Sequence, residues 1–364
     1  MNPPKKNEIE ITLLGPGFGE SLVIHLGDDR WIIIDSCIDS ETNAPAALGY
    51  LKNIGVDSAS SVSHVIATHW HDDHVGGLFE VLDACRNATF CCAAALASRQ
   101  FLDLVAVFNK RPIAVSTGLS EIEKVLHLLI KRDARPHWVL GDMPIVTVPA
   151  TPNAPEARIT ALSPVNAEFD RFLRSLAKYV PGNIPTTKHR FPRPNENDIS
   201  IAALLVVGDA CALLGADLET TSDTARGWNA VLTSTNRPKE IASLFKVPHH
   251  GSETGHHAKV WSDLLTPEPV AILTPWNRGS KLPTRVDRAR IASFAGRSFI
   301  TTRESAPETH RDYAIAKSIR ESNITVSTAE SRTGRITARI PFDAKASGVQ
   351  WSIDMSAAAS DLRY

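Results

Sequence analysis

Between positions 69 and 74 the chain reads His69-Trp70-His71-Asp72-Asp73-His74, three histidines and two aspartates in six residues. Val62 to Ala67, just ahead, is apolar enough to be a buried strand, and the residues from Gly76 to Cys85 have the spacing of a helix. The dense stretch therefore falls on a tight strand-to-helix turn, where a rigid strand ends and side chains can converge. Imidazole and carboxylate groups suit zinc and similar divalent ions. Four such groups exceed what one tetrahedral site needs once ligands arrive from elsewhere, so the spacing predicts two metals. His69 and His71, two apart, project to the same side and hold one. Asp73 and His74 reach the other.

The His-x-His-x-Asp-His pattern resembles that of the metallo-β-lactamase-fold hydrolases, with Trp70 and Asp72 at its variable positions. Asp72 is expected to be solvated or to support the loop without binding metal. The resemblance implies an α/β fold, a four-layer αββα sandwich, over residues 9–301. It also implies that Asp35, at the end of the apolar strand Ile32-Ile33-Ile34, supports the metal loop from behind. An aspartate that merely caps the next turn fits that position equally well.

The rest of the chain is consistent with such a sandwich. Ile9, Ile11 and Leu13 alternate as in a half-buried strand, and Gly27-Asp28-Asp29 joins two further strands as a hairpin. Helices are expected over 46–54, 94–108, 119–132, 166–179, 219–233, 257–265 and 284–295. Later strands are expected at 199–207, 210–214, 243–247, 269–274 and 297–301, then at 324–327, 335–340 and 349–353. A hydrolase domain is assigned to 1–322, with a basic insertion at 165–198, and a β-rich extension to 323–364. No run approaches the ~20 apolar residues of a membrane helix. No apolar stretch follows the lysines near the start, so no secretory leader is expected. The five cysteines lack CxxC spacing, which fits a reducing cytoplasm. A net charge of −1 gives no global argument for nucleic-acid binding.

Two later segments end strands with further ligands. The first, Leu214-Gly215-Ala216-Asp217, carries an aspartate that by resemblance bridges the two ions. The other is Val247-Pro248-His249-His250-Gly251-Ser252. One of its histidines completes the second metal. His249 is favoured, with His250 as a catalytic group near a substrate oxygen, although sequence alone allows the two roles to be exchanged. His256 and His257 are expected to cap or decorate a helix. Taken with Leu140-Gly141-Asp142, the segment 159–164 and Asn197-Asp198-Ile199-Ser200, these motifs resemble the soluble metallo-β-lactamase domain of the ComEC competence proteins. Those proteins pair the domain with a membrane channel and are associated with DNA strand degradation.

One departure stands out. Many members of the fold family place a third histidine on the first metal from a loop that here reads Asn195-Glu196-Asn197-Asp198 and contains none. His69, His71 and Asp217 would then be joined by Asn197, Asp198, water, or His189 from nearby in sequence. A poorer set of this kind favours manganese or partial occupancy.

The leading expectation is a phosphodiesterase or nuclease with two divalent ions, zinc or alternatively manganese, that activate water at neutral pH. Asp73 and Asp217 would relay protons. Asn197, Ser252, Arg190 and Arg193 are candidate substrate-binding residues. From Arg171 to Arg193 there are six Lys or Arg and no acid, with Tyr179 and Phe191 among them, a composition able to grip a nucleic-acid backbone. Arg278, Lys281 and Arg285 beside Trp276 form a second basic cluster. The competing expectations are a lactone, thioester or amide hydrolase of the same fold, and a metal-binding sensor without catalysis.

Overall fold

The computed structural model describes residues 1–98, 101–102, 117–176, 195–278, 280–302, 333–344 and 348–363. Arg190, Arg193, His189 and most of the basic segment lie outside these residues, as does the strand expected at 324–327.

Among the described residues the strands in chain order are β1 (Glu8–Gly15), β2 (Ser21–His25), β3 (Trp31–Ile34), β4 (Val62–Ala67), β5 (Thr89–Ala93) and β6 (His137–Val139). They are followed by β7 (Pro144–Val148), β8 (Ala157–Ala161), β9 (Ala203–Val207), β10 (Ala210–Leu214), β11 (Ala242–Lys246), β12 (Leu265–Leu273) and β13 (Arg297–Ile300). The last three are β14 (Gly334–Pro341), β15 (Ser352–Met355) and β16 (Ser360–Asp361). They form two eight-stranded sheets, ordered β15-β14-β1-β2-β3-β4-β5-β6 and β16-β13-β12-β11-β10-β9-β8-β7.

The two sheets face each other and helices cover their outer faces, which is the expected αββα sandwich. Side-chain alternation shows how it is built. In β10, Ala210, Ala212 and Leu214 enter the core shared by the two sheets. Cys211 and Leu213 point the other way, into a separate core with Trp228, Val260, Trp261 and Ile291 from the helices Gly227–Thr233, Ala258–Asp263 and Arg285–Phe294. The period of two thus buries β10 on both faces, as the run of apolar residues requires. On the other side, Leu78, Val81, Ile122 and Val125 bring the helices Leu78–Ala84 and Thr117–Lys131 onto the first sheet. All five cysteines are buried free thiols. No helix among the described residues is long and apolar enough to cross a membrane.

Several sequence expectations are corrected. The helix expected from Glu219 begins only at Gly227, because residues 215–226 turn repeatedly and Gly227 itself sits at φ 56. The strand expected from Ile199 begins at Ala203, and Glu196–Ile199 forms a 3-10 turn. The helix expected from Ala94 opens as a 3-10 turn over Ala94–Ala97. Beyond residue 332 the tail joins both sheets. Strand β14 pairs antiparallel with β1 from Glu8↔Pro341 to Gly15↔Gly334, and β16 adds to β13.

Candidate metal centre

Strands β4, β10, β11 and β12 all end at one edge of the sandwich, and the loops that leave them converge there. Strand β4 delivers Thr68 to His71. The short helix Asp72–Val75 then turns Asp73 and His74 inward. Asp72 does not face this centre. Its Oδ1 accepts from the Gly118 amide at 2.6 Å, which ties the loop to the helix Thr117–Lys131. A side chain at Gly118 would meet the Trp70 carbonyl, so the close approach requires glycine. Trp70 is buried against Phe101, edge to face.

Strand β10 delivers Asp217 through Ala216, a non-glycine residue at φ 42. The Asp217 amide donates to Ser200 Oγ at 2.9 Å. Strand β11 delivers His249 and His250, both in left-handed backbone conformations. Strain of this kind persists only where the surroundings hold it, and it clusters at functional sites.

Two candidate ligand sets result, groups of side chains that could each hold a metal ion, and they share Asp217. Donor atoms of His69, His71 and Asp217 form one, and those of Asp73, His74, Asp217 and His250 form the other. Asp217 Oδ1 lies 3.3 Å from His74 Nε2, while its Oδ2 lies 3.9 Å from both His69 Nε2 and His250 Nε2. Asp73 Oδ1 lies 3.6 Å from His71 Nδ1. Asp73 Oδ2 lies 2.9 Å from His250 Nε2 and 3.6 Å from His74 Nε2.

The histidine pair thus takes the exchanged assignment. His250, which is 2 % exposed, joins the second set in place of the favoured His249. His249 turns instead to Glu219 Oε1 at 3.1 Å and Thr254 Oγ1 at 2.8 Å. The chain direction explains this. Two successive left-handed residues swing the side chains to opposite sides, and Thr274 at the end of β12 receives the Nδ1 edge of His250.

Each of the four imidazoles has one nitrogen held by the protein, which leaves the other for the centre. His69 Nδ1 donates to Thr68 Oγ1 at 3.0 Å, and that hydroxyl donates to Asp35. His71 Nε2 lies 3.1 Å from Glu196 Oε2. His74 Nδ1 donates to Asp35 Oδ2 at 2.8 Å. His250 Nδ1 faces the Thr274 carbonyl at 3.2 Å. The opposite nitrogens of three of them, His69 Nε2, His71 Nδ1 and His74 Nε2, are buried without a hydrogen-bond partner, as are Asp73 Oδ1 and Asp217 Oδ1. Buried polar atoms are rarely left unpaired, and a whole converging set of them fits a cation. These residues therefore fit two divalent ions.

The electrostatics agree. Burial opposes charge on Asp73 and Asp217, but His74 and His250 outweigh it and hold both carboxyls below the ordinary range. Burial also opposes charge on His74, yet Asp217, Asp73, Glu20 and Asp35 raise it well above an ordinary imidazole. Burial and the neighbouring His74 push His69 well below. Beneath the centre, the buried Lys246 ammonium pairs with Glu20 and donates to the Ala216 carbonyl at 3.1 Å. Glu20 also accepts from Thr274 Oγ1 at 2.6 Å.

The other candidate residues sit as follows. Ser252 caps a local turn by accepting from the Thr254 amide at 3.2 Å. His257 caps the helix Ala258–Asp263 by accepting from the Lys259 amide at 3.1 Å, as expected. Glu196 lies beside His71, and Asn197 follows it in the same turn. Glu196 and Glu219 carry no motif that sequence reading could have used. Trp276 forms a wall of the site, with its ring 6.2 Å from His71 and 5.6 Å from His250. Phe18 packs on Trp276 at 5.0 Å, and the Arg278 guanidinium lies over Phe18 at 3.3 Å.

Residues 14–130 match the family model described as "Metallo-beta-lactamase superfamily". The matched segment holds the ligands from β4 but neither Asp217 nor His250. Among solved structures, the metallo-beta-lactamase fold protein YhfI from Bacillus subtilis is 15% identical, with 74% of this chain and 86% of that chain covered and a TM-score of 0.35. Zn(2+)-bound PqqB from Methylobacterium extorquens is 11% identical, with 77% and 84% covered and a TM-score of 0.37. MEM-A1, a subclass B3 metallo-beta-lactamase from a soil metagenome library, is 13% identical, with 66% and 78% covered and a TM-score of 0.33. Likeness at this level says nothing about substrate.

Proposed function

We propose that this chain, which carries a metallo-beta-lactamase superfamily domain, is a metal-dependent hydrolase that cleaves phosphodiester bonds. The observation that carries the reading is the inward set of orphaned donors: buried imidazole nitrogens converging on two carboxylates at the ends of three strands. His69, His71 and Asp217 would hold one divalent ion, and Asp73, His74, Asp217 and His250 the other, of which zinc or manganese suits the donors. Bound there, such ions supply Lewis acidity and lower the pKa of water toward ~7.

The chain's own residues do the rest. His71 is the exposed member of the ligand set, with a third of its side chain open to solvent, so substrate enters on its side. Trp276 and Phe18 offer an apolar face there, and the exposed Arg278 offers a guanidinium to an anionic group. Such a wall suits a substrate that combines a planar group with a negative charge, as a nucleotide chain does. His249, fixed by Glu219 and Thr254 and standing clear of the ligand set, is placed to give a proton to the leaving oxygen. The segments that resemble the ComEC domain are the ones that supply Asp217 and His250, which also favours a phosphodiester.

The test is hydrolysis of bis(p-nitrophenyl) phosphate and of single- and double-stranded DNA, with zinc or manganese, beside the His71→Ala variant. Metal-dependent cleavage that the variant loses supports the reading. No cleavage with two ions bound would shift it to a lactone or thioester hydrolase, and no cleavage with one ion or none to a sensor.

A further inference from the structure

We propose that Asn197 completes the ligand set of the first ion through its amide oxygen, which makes that site richer in oxygen than one completed by imidazole. The inference rests on the metal-dependent reading above and adds a ligand of a type that reading does not contain.

The turn Glu196–Ile199 sends three successive side chains in three directions. Glu196 Oε2 goes to His71 Nε2. Asp198 goes away from the centre. Its Oδ1 lies 2.5 Å from Arg226 Nη2 and its Oδ2 lies 3.5 Å from Arg171 Nε, so both oxygens face guanidinium groups. Asn197 lies between them and is 7 % exposed, and its Oδ1 is buried with no hydrogen-bond partner.

The turn is fastened to the first ligand set on both sides. The Ile201 amide donates to the Thr68 carbonyl, one residue before His69, at 3.1 Å. The Asp217 amide donates to Ser200 Oγ at 2.9 Å. The Ser200 amide in turn donates to the Asn197 carbonyl at 3.1 Å. Asn197 Oδ1 is therefore an orphaned acceptor on a turn tied to His69 and Asp217, two residues of one ligand set, in which His69 Nε2 and His71 Nδ1 are orphaned as well. A buried amide oxygen without a partner is unfavourable, and a cation at that set would satisfy it. A neutral amide oxygen is a harder and weaker ligand than imidazole, so the site should tolerate manganese well and hold zinc less tightly.

Glu196 supports the same arrangement. A carboxylate at His71 Nε2 favours the proton on that nitrogen and leaves the lone pair on Nδ1, the atom that faces the centre. Glu196 is thus a positioning residue for the first ion.

Titration of the metal-free protein with manganese(II), with free ion counted by electron paramagnetic resonance, tests this directly. The wild-type chain should bind two ions. Asn197→Ala should keep one and bind the other at least about tenfold more weakly. Asn197→Asp, which keeps an oxygen in place, should bind both and serves as the folding control. Asp198→Asn should leave both affinities unchanged. Two ions bound by Asn197→Ala at wild-type affinity, a single ion in the wild-type chain, or loss of the first ion in Asp198→Asn would each overturn the inference. Two ions bound as described, but without hydrolysis of any ester, would remove the hydrolase reading and leave the ligand assignment standing.

Discussion

His74 Nδ1 donates to Asp35 Oδ2 at 2.8 Å, and both residues are buried. Asp35 also accepts from the Thr68 amide and the Thr68 hydroxyl, each at 2.7 Å. One carboxylate just past the end of β3 thus fixes the ring of His74, a candidate ligand of the second set, and the residue that precedes His69. Burial raises the Asp35 carboxyl despite the opposing pull of His74 and Thr68. Asp35→Asn replaces one acceptor oxygen by an N–H, so the residue can no longer accept from His74 Nδ1 and from both Thr68 donors at once. Affinity for the second ion should fall about 10–100-fold, as measured by competition with a chelator, while the circular dichroism spectrum is kept.

His71→Ala and Asp73→Ala each remove a donor from the centre without opening the core between the sheets. Hydrolysis of bis(p-nitrophenyl) phosphate should fall by at least about a hundredfold in each variant, with little change in urea midpoint in the absence of metal. Near-wild-type turnover in either would argue that the two-ion arrangement plays no part in the reaction.

The Lys246–Glu20 pair is wholly buried beneath Ala216. Removing one partner strands a charge in the core, so Lys246→Met should cost about 3–5 kcal/mol in urea unfolding. The double variant Glu20→Gln with Lys246→Met should recover part of that loss. An equal loss in the double variant would show that packing, and not the stranded charge, sets the cost.

Arg278 is exposed and stacks on Phe18 beside the site. Arg278→Ala should weaken binding of single-stranded DNA and reduce the dependence of log K on log salt by about one. Turnover of bis(p-nitrophenyl) phosphate, which has no extended backbone, should change little. Equal effects on both substrates would place Arg278 in the reaction itself and not in the grip on a polymer.

His25 sits in the core at 3 % exposure with its Nδ1 facing the Glu8 carbonyl, and burial pushes its pKa down to about 4. His64 is likewise held at about 4 by burial. Both are neutral in the folded protein at pH 5, whereas in the unfolded chain they take up protons below about 6.5. Stability should therefore be full above pH 6.5 and fall as pH drops toward 4, by up to about 3 kcal/mol for each group. Chemical denaturation across that range should show a shallower slope in His25→Gln.

His69, His71, Asp73 and His74 were legible in the sequence as candidate donors because they are close in the chain and a strand and a helix flank them. Strand β10 was legible from its apolar run, and β14 from the alternation of Ile336, Ala338 and Ile340. Other features depend on contacts that no local pattern encodes. Whether His249 or His250 faces inward is decided by Thr274 from β12 and by Glu219. That β14 lies against β1 is a pairing across nearly the whole chain. Glu196 bears on His71 only because the turn at 196–199 folds over the centre. The helix expected from Glu219 begins late because a turning loop packs Leu218 into the outer core before the helix Gly227–Thr233 brings in Trp228.

The rate of bis(p-nitrophenyl) phosphate hydrolysis, followed as manganese or zinc is added stepwise to metal-free protein, tests the central claim most directly. A dinuclear phosphodiesterase predicts a rate that rises to saturation at two equivalents and stays at background in His71→Ala. A rate that does not depend on added metal, or that is the same in His71→Ala, would contradict it.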